Sequence, residues 1–160
     1  MFTLTYHTTR NPLGKSSTFS TLVDLASNNL SGSLEIHYPF FMDVFSAHSN
    51  NFFETFPASL ANYTHLQVLD LRKNGLTGEL PGYLANFHEL RVLSVGYNDL
   101  HGGIPQWITN LTKLQVLDLS NNKFSGRIPH NLDRLQGFAV NGTSKLIVQT
   151  LYVLLIVDMK

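Results

Sequence analysis

The sequence predicts a repeat solenoid: short parallel strands stacked into a curved sheet on a concave face, with 3₁₀ or short helical returns on the convex face. Three observations predict it. Pro57, Pro81, Pro105 and Pro129 fall 24 residues apart. Asn50, Asn74, Asn98 and Asn122 keep the same step, each seven residues ahead of its Pro. An apolar pair at alternate positions, such as Leu69 and Leu71, precedes each Asn. A fixed period in the range of roughly 20–50 residues marks an array whose units bury their apolar faces only against their neighbours.

Written out, the unit is L-x-x-L-x-L-x-x-N-x-L-x-G-x-I/L-P. The third repeat reads Leu66, Leu69, Leu71, Asn74, Leu76, Gly78, Leu80, Pro81. The fourth reads Leu90, Leu93, Val95, Asn98, Leu100, Gly102, Ile104, Pro105, and the fifth Leu114, Leu117, Leu119, Asn122, Phe124, Gly126, Ile128, Pro129. The second is looser, with Met42, Phe45, Ala47, Asn50, Phe52, Phe56 and Pro57 in place and Glu54 where Gly is expected. The first keeps Val23, Leu25, Asn28, Leu30, Gly32 and Leu34 but has Ser20 and Glu35 for the first Leu and the Pro. Its Asn28 lies 22 residues before Asn50, two fewer than the later step.

Each element follows from its residues. In L-x-L the two apolar side chains share one face of a short strand, because side chains alternate at period two. The Asn falls where the chain leaves the sheet. A buried turn strands backbone groups, and a carboxamide offers both donors and an acceptor to satisfy them. A column of Asn28, Asn50, Asn74, Asn98 and Asn122 is therefore expected through the stack. Gly permits a tight backbone path, and Pro fixes φ and ends strand pairing. Beyond each Pro, apolar residues recur three apart: Leu84, Phe87, Leu90; Ile108, Leu111, Leu114; Leu132, Leu135, Phe138. That spacing suits a 3₁₀ or short helical return.

This pattern resembles the leucine-rich repeat, in the 24-residue plant extracellular class with its L-T/S-G-x-I-P signature. Leu114 to Pro129, LQVLDLSNNKFSGRIP, is close to that class's consensus. The resemblance covers residues 20–138 and implies a curved solenoid with a second short sheet beside the concave one. A finer resemblance, carried by FSAHSNNFFETFPASLANYTHLQVLDLRKNGLTGEL, is to receptor kinases of the phytosulfokine-receptor group. LDRLQGFAVNGTSKLIVQTLYVLLIVDMK resembles the point where such receptors enter an irregular island segment. The expected organisation is an irregular segment over 1–19, about five repeats over 20–138, and an apolar segment over 139–160 that is either a truncated island or a cap. The run from Leu146 to Val157 is expected to fold back as a strand over the last repeat, or to be an island strand without its partner.

Composition narrows the function. Eleven basic and eleven acidic residues cancel, which argues against a nucleic-acid or polybasic membrane surface. The absence of Cys excludes disulfides, zinc–thiolate sites and a Cys nucleophile. The first eighteen residues hold no apolar run of signal-peptide length. The apolar run of Leu146–Val157 falls short of the roughly twenty residues of a membrane-spanning helix. Enzyme motifs fail on inspection: Gly14-Lys15-Ser16 lacks the Gly required at position 9, where Thr stands, and His88-Glu89 lacks a second His, since position 92 is Val. No cofactor, catalytic group or metal site is expected.

The positions flanking L-x-L face out on the concave side, where leucine-rich repeats commonly bind. The candidate contact residues are His48, Asp70, Arg72, Lys73, Ser94, Tyr97 and Asp118. His48, Arg72, Lys73 and Tyr97 are the most distinctive, because Tyr and Arg are favoured interface anchors. Asp70 and Asp118 are weaker candidates, since an acid is common there in the repeat consensus. Tyr83 and Trp107, each two residues past a Pro, are expected to pack between neighbouring repeats on the outer return. Four sequons, at Asn29, Asn62, Asn110 and Asn141, are acceptor candidates for N-glycans in a secreted chain.

The resemblance implies a non-catalytic recognition module, a fragment of a plant receptor ectodomain. Its partners would be a peptide or small hormone, a co-receptor ectodomain, or both, with any kinase outside this chain. It implies a place on the extracellular face of the plasma membrane as part of a longer receptor, with no nucleic acid and no membrane insertion by the chain itself. The alternatives are a secreted inhibitor of a wall-degrading enzyme, similar to polygalacturonase-inhibiting proteins, and a truncated product with no independent function.

Overall fold

The computed structural model describes residues 5–10, 19–36, 41–132, 135, 145–150 and 153–158. Two sheets run side by side through the stack. The larger is built on the L-x-L segments: β2 (Phe19–Asp24), β4 (Val44–Ser46), β6 (Val68–Asp70), β8 (Val92–Ser94) and β10 (Val116–Asp118). They pair in parallel and without stagger, so that Phe45, Leu69, Leu93 and Leu117 lie side by side. The smaller sheet takes the segment after each Asn: β3 (Ser31–Ser33), β5 (Asn51–Glu54), β7 (Gly75–Gly78), β9 (Asp99–Gly102) and β11 (Lys123–Phe124). Among the described residues, the 3₁₀ turns Ala58–Asn62, Gly82–Asn86 and Gln106–Asn110 form returns. Pro57, Pro81 and Pro105 stand immediately ahead of them with φ of −67°, −74° and −73°, the value their rings impose.

The repeat anchors become columns of the core. Leu66, Leu90 and Leu114 are buried, as are Leu71, Val95 and Leu119, and Leu76, Leu100 and Phe124. The returns close the far side with Leu60, Leu84, Ile108 and Leu132, then Tyr63, Phe87, Leu111 and Leu135. Phe138, the last apolar residue of that pattern, lies outside the described residues. Because every column repeats, each unit offers its neighbour a similar apolar face to pack against.

Chain beyond the repeats is used to extend the larger sheet at both ends. Residues 5–10, expected to be irregular, form β1 (Thr5–Arg10), antiparallel to β2. The physical reason is the open edge that a first repeat presents: its backbone N–H and C=O groups need partners. At the other end β13 (Val153–Asp158) runs parallel to β10, with Leu155 opposite Leu117. Strand β12 (Lys145–Thr150) pairs antiparallel outside it. The Leu146–Val157 run thus divides between two strands, and the second of them follows the last L-x-L strand in the sheet.

The conserved backbone shape also explains the Gly of the unit. Gly32, Gly78, Gly102 and Gly126 all have positive φ, between 83° and 106°. Glu54 occupies the same place in the second repeat with φ of 75°, a conformation that costs an L residue roughly 1–2 kcal/mol. Replacing Glu54 by Gly relieves that cost and adds back some unfolded-state entropy. Glu54→Gly is expected to stabilise the chain by about 0.5–1 kcal/mol, read as a melting temperature a few degrees higher. An unchanged or lower melting temperature would show that the Glu54 side chain compensates for its backbone.

Candidate functional site

The exposed face of the larger sheet is set by the turn that ends each strand. Ser27, Ser49, Lys73, Tyr97 and Asn121, each just before the Asn of its repeat, have φ between 51° and 58°. This left-handed turn throws the side chain outward and the next residue inward. Sequence reasoning placed Lys73 and Tyr97 with the strand positions; the structure puts them on this turn, at the rim of the face. Both are exposed, and Tyr97, at 54%, is one of the few large apolar side chains on the described surface.

The inward residue is the Asn. Asn98 Nδ2 donates to the carbonyls of Leu71 (3.0 Å), Val95 (2.9 Å) and Gly96 (3.4 Å), and its Oδ1 accepts from the Leu76 N–H at 3.0 Å. Asn122 repeats the pattern with Val95, Leu119, Ser120 and the Leu100 N–H. Asn74 and Asn50 do the same one and two repeats before Asn98. Asn28, at the head of the column, donates within its own turn to Leu25 and Ala26. From Asn50 onward each carboxamide ties its repeat to the one before, so the column holds the rim residues at fixed spacing.

The strand positions behave differently from one another. Arg72 forms a two-pronged ion pair with Asp70, Nε to Oδ1 at 2.9 Å and Nη2 to Oδ2 at 2.8 Å. The hydrogen bond to Asp70 raises the guanidinium pKa above its ordinary value, with a further contribution from the charge of Asp118. Arg72 remains partly exposed beyond the pair. His48 is half-buried, with Nδ1 3.1 Å from Ser49 Oγ.

Ser94 and Asp118 correct the expectation of an open contact surface. Both are buried, at 5% and 9% exposure. Asp118 Oδ1 accepts from the Ser120 hydroxyl (2.6 Å) and the Ser120 N–H (3.1 Å), and Oδ2 from the Ser94 hydroxyl at 3.4 Å. The reason is Gly96. A Cβ there would sit 2.8 Å from each Asp118 oxygen and 2.9 Å from Ser120 Oγ. The missing side chain leaves the room into which the Asp118 carboxylate leans across repeats. Nothing in the repeat consensus marks Gly96; only reading down its column, His48, Arg72, Gly96, Ser120, shows the gap.

The same column reading finds what single-repeat reasoning missed along the flanks. Lys113 Nζ meets Glu89 at 2.6 Å and Lys123 Nζ meets Asp99 at 2.7 Å, each pair 24 residues apart. Gln67 Nε2 donates to Asp43 Oδ1 at 3.0 Å by the same logic. On the outer return, Tyr83 and Trp107 pack against the core as partly buried residues. The Tyr83 hydroxyl donates to the Pro57 carbonyl one repeat back at 2.9 Å, and burial pushes its pKa upward. Asn29, Asn62 and Asn110 are exposed; Asn141 lies outside the described residues.

Of the candidate residues, those that remain available on the larger face form a rim: Lys73, Tyr97, the outer edge of Arg72 and half of His48. Its acids are engaged internally. It offers donors and an aromatic ring held on a rigid backbone, the features of a recognition surface.

Comparison with known proteins agrees with this geometry. The Leucine Rich Repeat family model matches residues 65–87, 89–111 and 113–135. No curated protein sequence matches the chain. The Arabidopsis receptor kinase HAESA, solved in complex with the peptide hormone IDA and the co-receptor SERK1, is 36% identical with a TM-score of 0.60. That match covers 70% of this chain and 19% of HAESA. The BIR2 ectodomain from Arabidopsis thaliana is 31% identical over 71% of this chain and 60% of its own, with a TM-score of 0.64. The ectodomain of the Arabidopsis receptor kinase SOBIR1 shares the fold over 98% of this chain and 79% of its own, at 21% identity and a TM-score of 0.68. The chain spans about a sixth of the PEPR1 chain, solved as PEPR1-AtPEP1, that it also matches. The chain folds as a leucine-rich repeat solenoid and is similar to those of plant receptor-kinase ectodomains.

Proposed function

We propose that the chain is a non-catalytic recognition segment of an extracellular plant receptor, binding a peptide or small hormone, a co-receptor ectodomain, or both, on the rim of its larger sheet. The observation that carries this reading is the pairing of Lys73 and Tyr97. Both hold left-handed backbone and both expose their side chains one repeat apart. A bulky Tyr in that conformation at the surface does nothing for the core, and exposed aromatic and basic residues on a rigid frame are what interfaces use as anchors. A pre-formed sheet loses little conformational entropy on binding, so a few anchors suffice. HAESA binds a peptide hormone and a co-receptor together, which supports the partner classes. The likeness to the phytosulfokine-receptor group belongs to the same reading, as do an extracellular location and the lack of catalysis.

The test is calorimetric titration of the chain with the SERK1 ectodomain and with a plant peptide-hormone panel that includes IDA. Lys73→Ala with Tyr97→Ala should weaken the binding observed by tenfold or more while leaving the melting temperature within a few degrees. Arg72 is the wrong residue to truncate, because its loss also strands the Asp70 carboxylate. Binding unaffected by the double variant, or absent across the panel, would overturn the reading.

A further inference from the structure

We propose that Asn74 is a modification site: when its turn opens, the carboxamide is hydrolysed through a cyclic imide with Gly75, and the product keeps the turn from closing again. The inference goes beyond the recognition reading and needs none of it. The residues that follow the asparagines of the column are Asn29, Asn51, Gly75, Asp99 and Lys123. Attack of the next backbone nitrogen on an Asn side chain is intramolecular and gains from proximity, but a side chain on the attacking residue crowds it. Gly75 removes that side chain at one position of the column. Asn74 also differs in its access to water. Asn50, Asn98 and Asn122 are buried, whereas Asn74 is half-buried. Asn28 shares that access but is followed by Asn29. Asn141-Gly142, the other such pair in the sequence, lies outside the described residues.

The closed turn commits both reactants. Asn74 Nδ2 donates to the carbonyls of Ala47 (3.0 Å), Leu71 (3.1 Å) and Arg72 (3.2 Å), and Oδ1 accepts from the Phe52 N–H at 3.1 Å. Gly75 lies in β7 opposite Phe53 of β5. The Phe52 carbonyl stands 3.2 Å from where a Gly75 Cβ would be, so both reactants are held against the second repeat. Attack makes Cγ tetrahedral and expels Nδ2. The four bonds oppose both changes, so the reaction draws on open states, whose population sets its rate. The strand that must part from Asn74 is a strained one: Glu54, opposite Leu76, holds left-handed backbone with φ of 75°.

In the reaction the Gly75 nitrogen forms a bond to Asn74 Cγ. The Cγ–Nδ2 bond breaks, its electron pair leaving with the nitrogen, which takes the Gly75 proton and departs as ammonia. Water then opens the imide at either carbonyl. One product is Asp; the other routes the backbone through the side-chain carbonyl and is one methylene longer. The Asp turns a carboxylate oxygen toward three carbonyls, and the longer backbone no longer fits the turn.

The test is mass spectrometry of the full chain, in an Asn141→Gln background, after incubation at mildly alkaline pH, with peptide mapping to separate Asp from its isomer. In guanidinium chloride Asn74 should convert at least tenfold faster than Asn98 and Asn122, and Gly75→Ala should slow it by tenfold or more. In buffer the folded chain should convert at Asn74 a hundredfold or more slowly than in denaturant. Leu69→Ala, which empties a buried position of the same repeat, should raise the rate in buffer at least tenfold. If that variant does not fold, it should convert at the denatured rate. Chain isolated after conversion at Asn74 should melt at a lower temperature than the unconverted chain. Several results would each overturn the proposal: equal rates at Asn74 in buffer and denaturant, a Leu69→Ala variant that converts no faster, or Asn98 or Asn122 converting as fast as Asn74 in denaturant. So would a Gly75→Ala variant without effect there, or a converted chain that melts with the unconverted one. The readouts are mass and melting temperature, so a failure here leaves the binding reading standing, and a failed titration leaves this site standing.

Discussion

Asn98→Ala should lower the stability of the solenoid by about 2–4 kcal/mol. The substitution removes no apolar packing of consequence. It takes away four hydrogen bonds at one buried turn. The carbonyls suffer least, because the column overlaps: Leu71 O also receives Asn74 Nδ2, Val95 O receives Asn122 Nδ2, and Gly96 O receives the Lys73 N–H. The larger loss is the Leu76 N–H, whose acceptor goes with Asn98 Oδ1. A buried donor left unsatisfied costs about 1–3 kcal/mol, and the lost second bonds to the carbonyls add to it. Asn98→Asp should be worse than Ala at neutral pH. It keeps an acceptor for Leu76 but turns a carboxylate oxygen toward three carbonyls in a buried place. Thermal melting of the two variants checks the order; an Asp variant as stable as the parent would refute the assigned orientation of the carboxamide.

Leu93→Ala should cost about 2–5 kcal/mol, by lost transfer energy and by the cavity left behind. Leu93 is fully buried between Leu69 and Leu117 in the register of the larger sheet. In a stacked array each unit is held only by its neighbours, so a void in a central unit weakens both of its interfaces. Leu93→Met conserves volume and should cost less than about 1.5 kcal/mol. Denaturant unfolding of the pair separates cavity from contact chemistry. An Ala variant that unfolds with the parent would show that position 93 does not face the core.

The repeat was fully legible because its anchors are constrained by the same physics in every unit. Leu69, Leu93 and Leu117 must fill one column, and Asn74, Asn98 and Asn122 must satisfy one turn, so both period and burial could be read from spacing. The candidate site was legible only in part. Lys73 and Tyr97 stood out by residue type, and the structure leaves them exposed. Ser94 and Asp118 looked equally open, because alternation says which face a side chain takes and is silent about what lies over it. Their burial depends on Gly96, whose missing side chain admits the Asp118 carboxylate from the next repeat. Such contacts join residues about 24 apart, so they emerge from comparing columns and are invisible along the chain. The ends were the least legible. Residues 5–10 carry no repeat signal, and their strand answers the open edge of β2.

The claim that recognition runs through the rim of the larger sheet is tested most directly by amide hydrogen exchange, measured with and without the binder found in the SERK1 and peptide titrations. Slowed exchange at 72–74 and 96–98 on binding is the expected result. Slowing confined to 51–54, 75–78 and 99–102, the strands of the smaller sheet, would contradict it and move the recognition surface to that side of the solenoid.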